Sequence, residues 1–254
     1  MWTWELGQKY TFQHAASVQA LAFNPITPNI LATSSALDFA IWTMPSSTLK
    51  KIKVPARVCS LAWTSDGQIL SLGLQNGTIS LRDLGGVERA SIKRSAPVWD
   101  LSWAPYKSSD GGGATVDTLT VACWDGTLSF YGTDGKPIMK ERPSPGGDLT
   151  SVRTFFNQEY LLCGSSDGKT TLMTRDGIKL NTLTESKDWV WRAVQKPRSS
   201  AFVTVSNDGV VAMHNLSFST VHGLYGDRYA IRESCTDVLV RHLLSEARVR
   251  IKCR

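Results

Sequence analysis

The chain has 254 residues, 42% of them hydrophobic and 20% charged, which suits a packed core and excludes disordered, collagen-like and coiled-coil classes. No run approaches the roughly 18 uninterrupted apolar residues of a membrane span, and Met1-Trp2-Thr3-Trp4-Glu5 lacks the basic and apolar regions of a signal peptide, so the sequence predicts no transmembrane segment and a cytoplasmic location. The net charge of +6 divides as +3 over residues 1–57, −2 over 58–191 and +5 over 192–254; basic excess at the ends, not along one stripe, argues against a nucleic-acid face.

In chain order, an apolar-x-x-apolar-x-aromatic segment recurs as VQALAF from Val18, VCSLAW from Val58 and VWDLSW from Val98, with looser copies from Leu149 and Val190. These anchors lie 40, 40, 51 and 41 residues apart. A second signal follows 24 residues after four of them, at Trp42, Arg82, Met173 and His214, and 33 residues after Val98, at Tyr131. The long interval contains Lys107-Ser-Ser-Asp-Gly-Gly-Gly-Ala-Thr, which predicts a nine-residue loop insertion around Gly111.

Within each unit the pattern is β. The runs Ile69 to Leu72, Leu119 to Ala122, Tyr160 to Cys163 and Phe202 to Val205 are short and rich in strand formers. Tight-turn dipeptides follow at Asn76-Gly77, Asp125-Gly126, Asp167-Gly168 and Asp208-Gly209, each leading into an alternating strand. A further strand before the next anchor makes four per unit. A period near 40 with four antiparallel strands predicts an all-β, WD-type β-propeller with about five visible blades. A β-sandwich, the runner-up, has no need of a fixed interval between anchor and strand end. Trp42, Trp63 and Trp103 are the expected structural blade anchors, with Asp125, Gly126, Asp167, Gly168, Asp208 and Gly209 as turn residues; Trp63 and Trp103 should be buried between blades. Only Trp42 fills the Trp slot of the repeat, and only Gln13-His14 resembles its Gly-His start. Trp99, Trp124, Trp189 and Trp191 read as core or blade-packing residues.

At the N-terminus, Met1-Trp2-Thr3 repeats Ile41-Trp42-Thr43, so the chain starts at a blade's third strand. This reads as a propeller incomplete at its N-terminus; a closed five-blade ring is the competing reading. Residues 215–254 match no blade template. The division expected is 1–217 as a partial propeller and 218–254 as a linker and β-hairpin opening a second one. The predicted hairpin strands are Asp237 to Leu244 and Arg248 to Arg254, the latter alternating Val249, Ile251 and Cys253 with Arg248, Arg250, Lys252 and Arg254.

In this tail, FSTVHGLY (Phe218 to Tyr225), DRY (Asp227 to Tyr229), TDV (Thr236 to Val238) and VRIKCR (Val249 to Arg254) resemble the stretch following the first WD-repeat block of the intraflagellar transport protein 122 family. ALAFNPITPNILATSS (Ala20 to Ser35) and DWVWRAVQKP (Asp188 to Pro197) are similar to segments of its blades. The resemblance implies a non-enzymatic scaffold in ciliary transport complex A, with the other complex subunits as partners and ciliary membrane-protein cargo or adaptors reached indirectly. It also implies residence in the cilium, at its base and along the axoneme. Candidate interaction residues of the tail are His222, Tyr225, Arg228, Tyr229, Arg248, Arg250, Lys252 and Arg254. Two alternatives remain: a propeller of another vesicle-coat or trafficking assembly, and a basic propeller binding nucleic acid or acidic lipid.

The sequence offers no catalytic motif of the GxSxG, HExxH, Walker A or GxGxxG type, so neither catalytic residues nor a cofactor is expected. The turn acids occur singly and lack the alternating oxygens of a calcium loop, and the five scattered cysteines form no CxxC pair, so no metal site is expected and reduced thiols are.

Overall fold

The computed structural model describes residues 11–44, 50–107, 115–144, 146–217, 221–232 and 236–252. Two compact units divide it, Met1–Met213 and His214–Arg254. All regular structure among the described residues is β, and no helix there is long and apolar enough to cross a membrane.

In the first unit, consecutive antiparallel meanders build one blade each. Blade 1 is β1 (Val18–Phe23), β2 (Ile30–Ser35), β3 (Asp38–Thr43) and β4 (Lys50–Lys53). Blade 2 is β5 (Val58–Trp63), β6 (Ile69–Leu74), β7 (Thr78–Asp83) and β8 (Glu88–Lys93). Blade 3 is β9 (Val98–Lys107), β10 (Thr115–Cys123), β11 (Thr127–Tyr131) and β12 (Pro137–Pro143). Blade 4 is β13 (Leu149–Phe155), β14 (Tyr160–Ser165), β15 (Lys169–Thr174) and β16 (Lys179–Glu185), and blade 5 is β17 (Val190–Gln195), β18 (Ala201–Ser206) and β19 (Val211–Asn215). The first strands β1, β5, β9, β13 and β17 pack in that order, so each anchor segment lies against its counterpart about 40 residues away.

The cores lie between sheets. Ala32, Phe39, Val58, Leu61, Leu70 and Leu72 form one cluster from blades 1 and 2; Ile79, Leu81, Val98, Leu101, Leu119 and Val121 form the next, from blades 2 and 3. β6 is therefore covered on both faces and reads as a near-continuous apolar run, whereas β8, β12 and β16 hold only exposed and half-buried positions. The outer flanks differ. Val18, Leu21 and Phe23 of β1 and Val194, Val211 and Met213 of blade 5 leave large apolar surfaces exposed.

Three expectations are corrected. The insertion near Gly111 is smaller than a nine-residue loop, because β9 and β10 run on and pair as far as Lys107 with Thr115; residues 108–114 lie outside the described ones. Blade 5 shows three strands among the described residues, not four, and the Met1-Trp2-Thr3 strand lies outside them. In the tail, the stretch expected as linker holds β20 (His222–Tyr225) and β21 (Arg228–Arg232), which form a four-stranded sheet with the foreseen hairpin of β22 (Asp237–His242) and β23 (Arg248–Lys252). Four or five residues are too few for alternation to show in sequence, and the turn is Gly226-Asp227 instead of Asp-Gly.

Candidate functional site

The anchors behave as joints between blades. Trp63 and Trp103, 7% and 8% exposed, donate their indole N–H to the preceding blade, Trp63 to the Ala22 carbonyl at 3.1 Å and Trp103 to Ser71 Oγ at 2.9 Å. The same repeat position in blade 5 is Gln195, whose Oε1 accepts the Phe156 N–H of blade 4 at 3.1 Å. In blade 1 it is Phe23, 58% exposed on the open flank.

Trp42 and His14 meet through Thr33. Trp42 Nε1 donates to Thr33 Oγ1 at 2.6 Å, His14 Nε2 lies 2.7 Å from that oxygen, and His14 Nδ1 lies 2.6 Å from Asp38 Oδ1. A carboxylate only accepts, so Nδ1 carries the proton toward Asp38, and in the neutral ring Nε2 accepts from the Thr33 hydroxyl. Burial alone would raise the Asp38 pKa; the bonds from Ser35 and His14 hold it below the ordinary carboxylate range. Blade 3 replaces this network with a cationic one. Arg94, four residues before its anchor like His14, donates through Nη1 to Tyr131 Oη at 3.3 Å and through Nη2 to Asp125 Oδ2 at 3.1 Å and Thr127 Oγ1 at 2.8 Å, and also pairs with Glu141.

The turn acids do turn chemistry. Asp125, Asp167 and Asp208 accept the backbone N–H two residues on, from Thr127, Lys169 and Val210, at 3.1, 3.1 and 3.3 Å. Gly126, Gly168 and Gly209 between them hold φ of 70°, 81° and 83°. Among the described residues no group of three or more His, Cys, Asp or Glu is placed to hold a metal ion, and Cys123 and Cys163 are buried free thiols, the latter pushed up to about 12 by burial.

Sequence reasoning missed a fully buried carboxylate that several blades share. Asp100 is 0% exposed and accepts from Ser60 Oγ at 2.9 Å (blade 2), from Val152 N at 3.0 Å and Arg153 Nη1 at 2.6 Å (blade 4), while Arg192 Nη1 of blade 5 lies 2.9 Å from its other oxygen. One carboxylate thus ties four blades. Burial alone would raise its pKa; the Arg153 and Arg192 guanidiniums hold it down. Ser60, Asp100, Ser151 and Arg192 each stand two residues after an anchor, so the repeat phase carried the signal.

The residue before each of these is skipped by strand pairing. A β-bulge falls at Gln19, Cys59, Trp99, Thr150 and Trp191, one in every blade. Bulges re-aim side chains. Gln19, Cys59, Trp99 and Trp191, with Arg57 and Arg192, line a cavity of about 190 Å³. Beside it four indoles close a circuit: Trp99 stacks on Trp124 at 4.2 Å between ring centres, Trp124 meets Trp189 edge-on at 6.1 Å, Trp189 lies 5.3 Å from Trp191, and Trp191 lies 6.0 Å from Trp99. All four are half-buried, and of the two places expected for them, core or blade packing, they take the second, pairing across blades 3 and 5.

In the second unit, register divides the candidate interaction residues between two faces. His222 pairs with Ile231, Tyr225 with Arg228, Leu239 with Arg250 and Val238 with Ile251. Alternation then places His222, Tyr229, Arg248, Arg250 and Lys252 on one face and Tyr225 and Arg228 on the other; Arg254 and Cys253 lie outside the described residues. Val249 and Ile251 are on the second face, exposed.

Repeated sheets joined by buried polar ties define a WD-type β-propeller. A family model described as IFT122 first beta-propeller matches residues 1–215, and one described as IFT122 second beta-propeller matches residues 222–254. The chain belongs to the IFT122 family. It is 41% identical over 258 aligned positions to the intraflagellar transport protein 122 homolog of Mus musculus and 42% identical to that of Danio rerio, in both cases over 100% of this chain and 21% of the relative. The chain thus spans about a fifth of the length of these curated relatives. Among solved structures, the β-propeller domain of Myceliophteria thermophila Cps50 (Swd1) superposes with a TM-score of 0.66, covering 94% of this chain and 87% of that one; at 13% identity the likeness is one of fold.

Proposed function

We propose that the chain acts as a non-enzymatic protein-interaction scaffold within a WD-repeat subunit of the intraflagellar transport complex A, serving retrograde ciliary transport, cilium assembly and delivery of membrane proteins to cilia. The observation that carries this reading is the tandem match, first-propeller family up to residue 215 and second-propeller family from residue 222, along one chain. Residues 1–217 then belong to the first propeller and 218–254 open the second. The use of ionisable groups supports a scaffold: His14, Asp38, Arg94, Asp100, Arg153 and Arg192 are all engaged in ties within or between blades. Its partners are the other complex A subunits, its cargo is reached through them, and its place is the cytoplasm, ciliary base and axoneme. The test is affinity purification of the tagged protein from ciliated cells with imaging of its position. Co-purification of complex A subunits with ciliary signal is expected; their absence from the purified material together with no ciliary enrichment would overturn the reading.

A further inference from the structure

We propose that the cavity formed by the bulge residues is a docking site for an acidic peptide segment that presents a carboxylate beside an aromatic or large apolar side chain. The same bulge in each blade delivers Gln19, Cys59, Trp99 and Trp191 to one place, while in blade 4 Thr150 is buried and donates to the Val190 carbonyl. Its volume of about 190 Å³ lies below the roughly 300–1,000 Å³ of small-molecule sites, so it takes a side chain, not a free cofactor.

Charge selects the kind of side chain. Arg153 and Arg192 share the single buried carboxylate of Asp100, and Arg57, exposed at the rim, bonds Gln19 Oε1 and has no carboxylate partner among the described residues. Arg57 and Arg192 line the cavity and no acid does, while Asp100 is shared between Arg192 and Arg153, so the lining keeps a positive excess. That balance disfavours a quaternary ammonium and favours a carboxylate, which a guanidinium binds in its planar fork. The indole circuit supplies rigid, half-buried aromatic surface; Trp and Arg together are the composition of binding hot spots. A concave opening at strand ends admits an extended peptide more readily than a flat lipid surface.

The site lies within the scaffold reading, yet the two fail separately: complex membership stands if no peptide binds, and peptide binding stands if the complex does not form. The experiment measures fluorescence anisotropy of a labelled peptide alternating Glu with Phe against the full chain, with Lys/Phe and Glu/Ser peptides as controls. The Glu/Phe peptide should bind about tenfold or more tightly than either control, and Arg57→Glu, at an exposed position, should abolish that preference. Trp99→Ala should also weaken binding, read only if its circular dichroism matches wild type. Equal affinity for the Lys/Phe peptide, an unaffected Arg57→Glu variant, or no binding at millimolar peptide would overturn the proposal. So would Arg57-dependent binding of phosphatidylserine vesicles or duplex DNA that the Glu/Phe peptide fails to displace.

Discussion

Asp100→Ala removes the acceptor on which blades 2, 3, 4 and 5 converge. Two losses can be separated. The Val152 N–H and the Ser60 hydroxyl lose a buried acceptor, and an unsatisfied buried polar group costs about 1–3 kcal/mol. Arg153 and Arg192 lose their counter-charge, but their side chains are 31% and 40% exposed, so water recovers part of that loss and the full penalty of an orphaned buried charge does not apply. The sum is about 3–5 kcal/mol, a large share of the roughly 5–15 kcal/mol that holds a domain folded. For a unit of this size it should lower the melting temperature by roughly 10 °C. The pH dependence gives a second readout. A carboxylate whose folded pKa is depressed stabilises the fold above its unfolded value of about 3.9, and that contribution disappears as pH falls through the folded pKa. Thermal melts should therefore show the full difference between wild type and variant at pH 7 and convergence only below roughly pH 4. A difference under about 1 kcal/mol at pH 7, or convergence near neutrality, would refute the assignment of Asp100 as the shared tie.

Other perturbations follow from the same geometry. Trp103→Ala should cost about 3–5 kcal/mol in urea melts, whereas Phe23→Ala, at the same repeat position but on the open flank, should cost under about 1 kcal/mol; comparable losses would undo the blade alignment. Gly168→Ala should destabilise by more than Gly209→Ala, because both carry φ above 80° but a Cβ at Gly168 would lie 2.5 Å from the Ser186 carbonyl oxygen and one at Gly209 meets nothing within 4 Å; the strain common to both is about 1–3 kcal/mol. Trp42→Phe keeps most of the packing and loses the bond to Thr33, so a loss of about 1–3 kcal/mol is expected by denaturant titration.

The sequence by itself determined what is local and repeated. Asp-Gly turns are set by backbone sterics within four residues, the anchor spacing by the length of a four-stranded meander, and both survive in a single chain without any knowledge of neighbours. Trp63 and Trp103 were legible for the same reason: a large aromatic at a fixed phase has to be covered by something. What covers it was decided only by the tertiary structure. Asp100 stood in plain view inside VWDLSW, yet its value depends on Ser60, Arg153 and Arg192, which alternation within one strand cannot bring together. The indole circuit was hidden by the bulges, since one skipped residue per anchor turns Trp99 and Trp191 out of the simple alternation of a strand. In the tail, strands of four and five residues carry too little pattern to show alone, and the register that sends Tyr225 to one face and Tyr229 to the other exists only once β20, β21 and β22 are paired. Hydrophobic pattern records which side of a strand is buried; which residues meet across a joint is fixed by sheets packing over separations of 40 residues or more.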